Sequence, residues 1–197
     1  MSNTSLNDRR HHRHNRYLLM RHGHSEANEA GLIISRPERG LTGFGLSHRG
    51  RAQLADLLAD WRWPLPDRLL HSDFRRTTET AEWVARHFGL TPSAHVGLRE
   101  RSFGDLEGLS DVRYPDVWSL DAEDPRHRAF GVESVTDVAD RMLAVITALE
   151  AETQGETILL VSHGDPLQIL LTALAERPLS AHRDREPLPP AGITPLS

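Results

Sequence analysis

The 197-residue chain contains no cysteine, and none of its 23 cationic residues is lysine. Without cysteine there are no disulfides, no thiolate zinc sites and no cysteine nucleophile. Without lysine, a P-loop lacks the side chain that grips nucleotide phosphates, and a pyridoxal enzyme lacks its Schiff-base partner. All the positive charge is arginine, whose planar fork matches phosphate oxygens two at a time. Long apolar runs are missing too. Nothing approaches a membrane span, and the N-terminus has no apolar stretch of signal-peptide length, so a cytoplasmic location and no membrane partner are expected. A basic excess is also absent: the net charge of −5 argues against a nucleic-acid partner.

What is present suits one globular domain. The apolar fraction is ordinary and the length is that of a single core. Residues 1–16 are polar and rich in arginine and histidine, including Arg9, Arg10, His11, His12, Arg13 and His14. They read as a disordered, solvated tail ahead of a domain spanning 17–197.

Along that domain, short apolar runs alternate with helical periodicities. Tyr17–Met20 reads as a buried strand ending at Arg21-His22-Gly23, after which Ser25 offers an N-cap to a short helix through Asn28. Four glycines and Pro37 make 31–46 a loop. Ser47 caps a helix from His48 to about Asp60. Leu69 and Leu70 mark a second strand ending at His71-Ser72, followed by a helix over Arg75–Phe88 that Gly89 stops. Ala94–Val96 is a weak strand, and 97–132 reads as irregular. Glu133–Glu150 is strongly amphipathic. Thr157–Val161 is the clearest strand and ends at Ser162-His163-Gly164, with Pro166 near the start of another helix to about Glu176. A last strand is expected near Ile193. This alternation predicts an α/β sandwich, three layers around a mostly parallel sheet.

In such sheets ligands bind beyond the carboxyl ends of the strands. Those ends carry His22, Ser72 and His163, each followed by a helix whose N-terminus offers free N–H groups, which is the chemistry of an anion site.

Four ordered segments then carry a resemblance: Leu19-Met20-Arg21-His22-Gly23, Ser72 through Ala81 with Arg75-Arg76, Leu98-Arg99-Glu100 through Gly108, and Ser162-His163-Gly164. Together they resemble the histidine phosphatase superfamily, in its phosphoglycerate mutase-like branch, over residues 17 to about 175. The resemblance implies that His22 is the nucleophile and that Arg21, Arg76 and His163 form the phosphate pocket. Arg76 is selected over Arg75 by its spacing from Thr80-Ala81. Glu100 is the implied general acid, with Asp105, Glu107 and Asp165 as rivals. Ser25 and Asn28 stand where the family contacts phosphate, though a helix cap and a surface amide explain them as well. Thr42 and Gly43 are expected to line the same pocket. His24 departs from the family's usual acidic or amide residue. Arg36, Arg39 and Arg101 read as loop charges, solvated or able to reach the remote charge of an acidic substrate. The implied activity is hydrolysis of a phosphomonoester through phosphohistidine, on a small phosphorylated substrate or a phosphoprotein side chain, with no cofactor and no metal. A mutase or a phospho-ligand binding module are the alternatives. The segment 109–132 is shorter than the mutase insertion and lacks its paired arginines, which favours hydrolysis.

Overall fold

The computed structural model describes residues 13–196. A five-stranded sheet forms its centre: β1 (Arg16–Arg21), β2 (Arg68–His71), β3 (Ser93–Ala94), β4 (Thr157–Ser162) and β5 (Ile193–Pro195), in the order β3-β2-β4-β1-β5. All neighbours are parallel except β5, which runs antiparallel along β1. The expected α/β sandwich is the fold observed.

The two-residue alternation of the strands divides the core. Tyr17 and Leu19 of β1, with Ile158 and Leu160 of β4, pack under α6 (Val135–Glu152) and α7 (Gly164–Leu174). Leu18 and Met20, with Leu159 and Val161, pack under α3 (His48–Ala59) and α4 (Arg75–Phe88). Burial on both faces explains why β4 reads as an unbroken apolar run. Ser47 caps α3 by accepting from Gly50 N–H, as expected.

Register places the site. Arg21 of β1 lies opposite Ser162 of β4, and Val161 lies opposite His71 of β2. The ladder continues one residue further on each side: His22 N–H donates to Ser162 O at 3.1 Å, and Ser72 N–H to Val161 O at 3.0 Å. His22, Ser72 and His163 therefore emerge side by side at the carboxyl edge of the sheet.

Three segments depart from expectation. Residues 97–132, expected to be irregular, hold the ten-residue helix α5 (Tyr114–Glu123). Pro115 at its start and only two buried side chains, Val117 and Asp121, hide its periodicity. The loop 31–46 contains the short helix α2 (Pro37–Gly40), and α1 covers Glu26–Ala30. The third strand is Ser93–Ala94, because Val96 turns into a 3-10 turn capped by His95. At the N-terminus, the disordered-tail expectation for residues 1–12 lies outside the described residues. Its end is engaged: Asn15 Nδ2 donates to Glu150 and to Thr153 O, and β1 begins at Arg16.

Candidate active site

His22 sits just past β1, 3% exposed. Its Nδ1 lies 2.7 Å from Gly23 O, an acceptor only, so Nδ1 carries the proton and Nε2 keeps a lone pair. Arg76, on the first turn of α4, donates from Nε to that Nε2 at 3.2 Å and from Nη2 to Ile34 O at 3.0 Å. Burial holds the His22 pKa well below the ordinary value, and the charges of Arg76 and Arg21 lower it further. The imidazole is neutral at neutral pH, with its free nitrogen facing a guanidinium.

His163 is the N-cap residue of α7 and is fully buried. Its Nε2 is 2.9 Å from Ser72 Oγ. The same Oγ accepts from Phe74 N–H at 3.3 Å, and among the described residues its hydrogen has no acceptor other than Nε2, so the hydroxyl donates to that nitrogen. His163 then carries its proton on Nδ1, which is buried and has no hydrogen-bond partner among the described residues. Burial, Arg76 and His22 keep this ring neutral as well.

Glu100 completes the group. Its Oε1 accepts from Arg101 N–H at 2.9 Å, and its Oε2 stands 3.6 Å from Arg76 Nη2 and 3.7 Å from His163 Nδ1. Burial raises its pKa to about 7, against the opposing charge of Arg76. Arg21 is partly buried beside Gly164 and donates from Nη1 to Leu188 O at 2.9 Å. Among the described residues, Arg21 Nε, Arg76 Nη1 and His163 Nδ1 are buried without a hydrogen-bond partner, and Arg76 and His163 both approach Glu100 Oε2. Buried donors are rarely left unmade, since each costs about 1–3 kcal/mol, and a phosphoryl dianion offers acceptors to such donors.

Two of the rivals of Glu100 are engaged elsewhere and the third is exposed. Glu107 accepts from Ser35 N–H, Ser35 Oγ and Arg36 N–H, tying two loops together. Asp105 is exposed. Asp165 pairs with Arg101 at 3.2 Å and Arg183 at 3.3 Å. Arg75, the rival of Arg76, is exposed and pairs with Glu79 at 2.7 Å.

Other sequence expectations fare unevenly. Ser25 and Asn28 form a capping box at the start of α1. Thr42 is exposed and gives its carbonyl to Arg75, while Gly43 N–H donates to Arg39 O; neither is hydrogen-bonded to the histidines, Arg76 or Glu100. His24 turns to α3, with Nδ1 2.8 Å from Ser47 Oγ and its N–H donating to Gln53. Gly50 permits that approach, because a Cβ there would stand 2.0 Å from His24 O. Arg36 and Arg39 are exposed, but Arg101 is not a solvated charge: it is 0% exposed and bound to Asp121 at 2.7 Å. Sequence reasoning also passed over Ser72 as a partner of His163. A small hydroxyl residue directly after an apolar strand was the available signal.

The sheet edge and these side chains define a class of site: a neutral buried histidine beside two arginines at the carboxyl edge of a mostly parallel α/β sheet. A sequence model of the histidine phosphatase superfamily, branch 1, matches residues 17–197, and the chain belongs to that superfamily. Glucosyl-3-phosphoglycerate phosphatase of Mycobacterium tuberculosis is 31% identical over 177 residues, covering 84% of this chain and 77% of the relative. The 2,3-bisphosphoglycerate-dependent phosphoglycerate mutase of Methylocella silvestris is 29% identical over 80% of each chain. A solved mycobacterial glucosyl-3-phosphoglycerate phosphatase complexed with VO3 has a TM-score of 0.77 at 28% identity, with 92% of each chain covered. Phosphomonoester hydrolysis is the reaction class of this protein.

Proposed function

We propose that the protein hydrolyses a small phosphomonoester in two steps through phospho-His22. The observation that carries the reading is the meeting of His22 Nε2 and Glu100 on one buried guanidinium, Arg76, which keeps a donor without a partner among the described residues. Arg21, Arg76 and His163 bind the phosphoryl oxygens and neutralise them, which is most of what phosphoryl transfer asks of a protein. His22 Nε2 attacks phosphorus as the bond to the leaving oxygen breaks, and Glu100 gives that oxygen its proton. Glu100, now a carboxylate, takes a proton from water. The water oxygen attacks phosphorus, the P–N bond breaks, and inorganic phosphate leaves with His22 restored.

A carboxyl with a pKa near 7 is suited to both duties, because it is protonated and deprotonated at comparable cost. The substrate class is a small phosphomonoester whose alcohol carries further polar or acidic groups, in line with the glucosyl-3-phosphoglycerate of the named relative. No step of this reading requires a metal, and a cytoplasmic setting without membrane or nucleic-acid partners is part of it. Rapid acid-free quenching with labelled substrate should trap an acid-labile, alkali-stable phosphoenzyme mapping to the His22 peptide. Label on another residue would overturn the assignment. Label passed to phosphoglycerate rather than to water would make the protein a mutase. Dialysis against a chelator should leave turnover unchanged.

A further inference from the structure

Two arginines hold the segment that carries Glu100. Arg141, on α6, has five N–H donors, as every guanidinium does. All five are used. Nε and Nη2 donate to the two oxygens of Glu133 at 2.7 and 3.1 Å. Nη1 donates to Gly97 O at 2.8 Å and Arg99 O at 2.9 Å, and Nη2 to Glu100 O at 3.2 Å. Arg101 follows Glu100 and is fully buried. It donates to Glu133 O at 2.8 Å, to both oxygens of Asp121, and to Asp165 at 3.2 Å. Glu133 N–H closes the ring by donating to Ser102 O at 2.9 Å.

The segment 97–101 has no strand neighbour to take its carbonyls. Buried carbonyls need donors, and one side chain supplies three of them. The consequence reaches the carboxyl. Glu100 has one oxygen tied to Arg101 N–H, so the position of the other, facing Arg76 and His163, follows the main chain that Arg141 holds.

We propose that Arg141, with Glu133 as its counter-ion, is the positioning residue that sets the reach of Glu100 to the leaving oxygen. The inference rests on Glu100 as the general acid. Proton transfer needs heavy atoms within about 3 Å, and a displacement of about 1 Å can cost up to 10²-fold. Lysine could not replace Arg141, because a point charge with three donors cannot span a bidentate carboxylate and three carbonyls.

The test compares kcat/KM on p-nitrophenyl phosphate and on β-glycerophosphate for Arg141→Met, Arg141→Lys, Glu133→Gln and Glu100→Gln. This ratio reports steps up to phosphoenzyme formation, so the later role of Glu100 as a base does not enter. The aryl ester, with its stable leaving phenolate, needs little acid help. Arg141→Met should lose about 10- to 100-fold on the alkyl ester and about threefold or less on the aryl ester, with KM little changed. Arg141→Lys should recover only part of the loss. Arg141→Met should also flatten the high-pH limb of the alkyl profile, as Glu100→Gln does, an effect that general loosening of the fold would not produce. If Glu100→Gln is selective for the alkyl ester and Arg141→Met lowers both esters equally or neither, Arg141 is only a structural tie. If Glu100→Gln itself is unselective, the acid is misassigned and this inference falls with it. Should Arg141→Met fail to fold, Glu133→Gln decides. It keeps the guanidinium and loosens its anchor, so a smaller alkyl-selective loss is expected, and its absence overturns the proposal.

Discussion

The site has two halves, and they are built by different means. His22, Ser72 and His163 are set by the sheet: the ladder of β1, β4 and β2 fixes their backbones, and the side chains need only short reaches. Glu100 lies on a segment without a ladder and is held by guanidinium groups instead. The two buried arginines sharpen the contrast. Among the described residues, Arg76 keeps Nη1 without a partner and meets one carboxyl, at 3.6 Å. Arg101 spends its donors on two aspartates and a carbonyl. One buried arginine is left with a donor to spare, as the proposed phosphate role requires, while the other is satisfied and holds structure.

The largest expected effect belongs to the strand half. His22→Ala should remove the phosphoenzyme and lower turnover by at least about 10³-fold, as expected when a nucleophile and its covalent step are lost. The fold should persist, because among the described residues the ring hydrogen-bonds only Gly23 O and Arg76. A folded His22→Ala protein with wild-type turnover would end the two-step reading.

The arginine pair comes next. Arg101→Met strands two buried carboxylates, a loss of about 3–5 kcal/mol by analogy with other broken buried pairs. Arg76→Met removes a charge that meets a carboxyl raised to about 7, so its main loss should be in activity. Chemical denaturation and turnover measured on both variants check the contrast. Equal stability losses would erase it.

The halves also differ in how far they could be read from the sequence. Strand-end motifs were legible because an apolar run, a register and a following helix leave a local trace. The family resemblance separates Arg76 from Arg75, and the structure buries the first and exposes the second. Arg101 and Arg141 left no such trace. Asp121 lies 20 residues from Arg101 and Asp165 lies 64 residues away, so the pairing exists only once α5 and α7 are packed. Helix α5 was itself invisible, having little apolar periodicity to show. For Thr42 and Gly43 the sequence offers a family-like dipeptide in a loop, and the structure adds only main-chain bonds, from Arg75 to Thr42 O and from Gly43 N–H to Arg39 O.

Protonation offers a third comparison. His22 and His163 have depressed pKa values in the folded state, whereas that of Glu100 is raised. Below about 6.5 the unfolded chain binds protons at the two histidines that the folded protein refuses, so stability falls as pH falls. Glu100 acts oppositely, since between its ordinary value and about 7 the folded state holds the extra proton and stability falls as pH rises. His24 and His71 are depressed as well, so four histidines against one glutamate leave a net loss on acidification from pH 7 to 5. Glu100→Gln should steepen that loss, as read from the thermal midpoint at each pH. A midpoint that rises on acidification would contradict the neutral-histidine assignment.

The smallest effect decides what the first loop contributes. Ser25 Oγ accepts from Asn28 N–H at 3.2 Å and donates to Asn28 Oδ1 at 2.9 Å, and Ser25 N–H donates to the same oxygen at 3.0 Å. The hydroxyl hydrogen is committed to the cap, so Ser25 has nothing to give a phosphate. Asn28 is different, because its Oδ1 is used and its amide N–H groups are not committed by that box. Ser25→Ala should therefore cost about 1 kcal/mol of stability, the usual worth of an N-cap, and leave inhibition by inorganic phosphate unchanged. Asn28→Asp keeps an acceptor for the cap, removes the amide donors and adds a negative charge. If the amide serves the substrate, this variant should hold its stability and weaken phosphate inhibition about tenfold, a change of about 1.4 kcal/mol. If Asn28 only caps, its phosphate inhibition should match that of the wild type. Ser25→Ala with weakened phosphate binding and unchanged stability would reverse the assignment and make the serine, not the asparagine, the ligand on this side of His22.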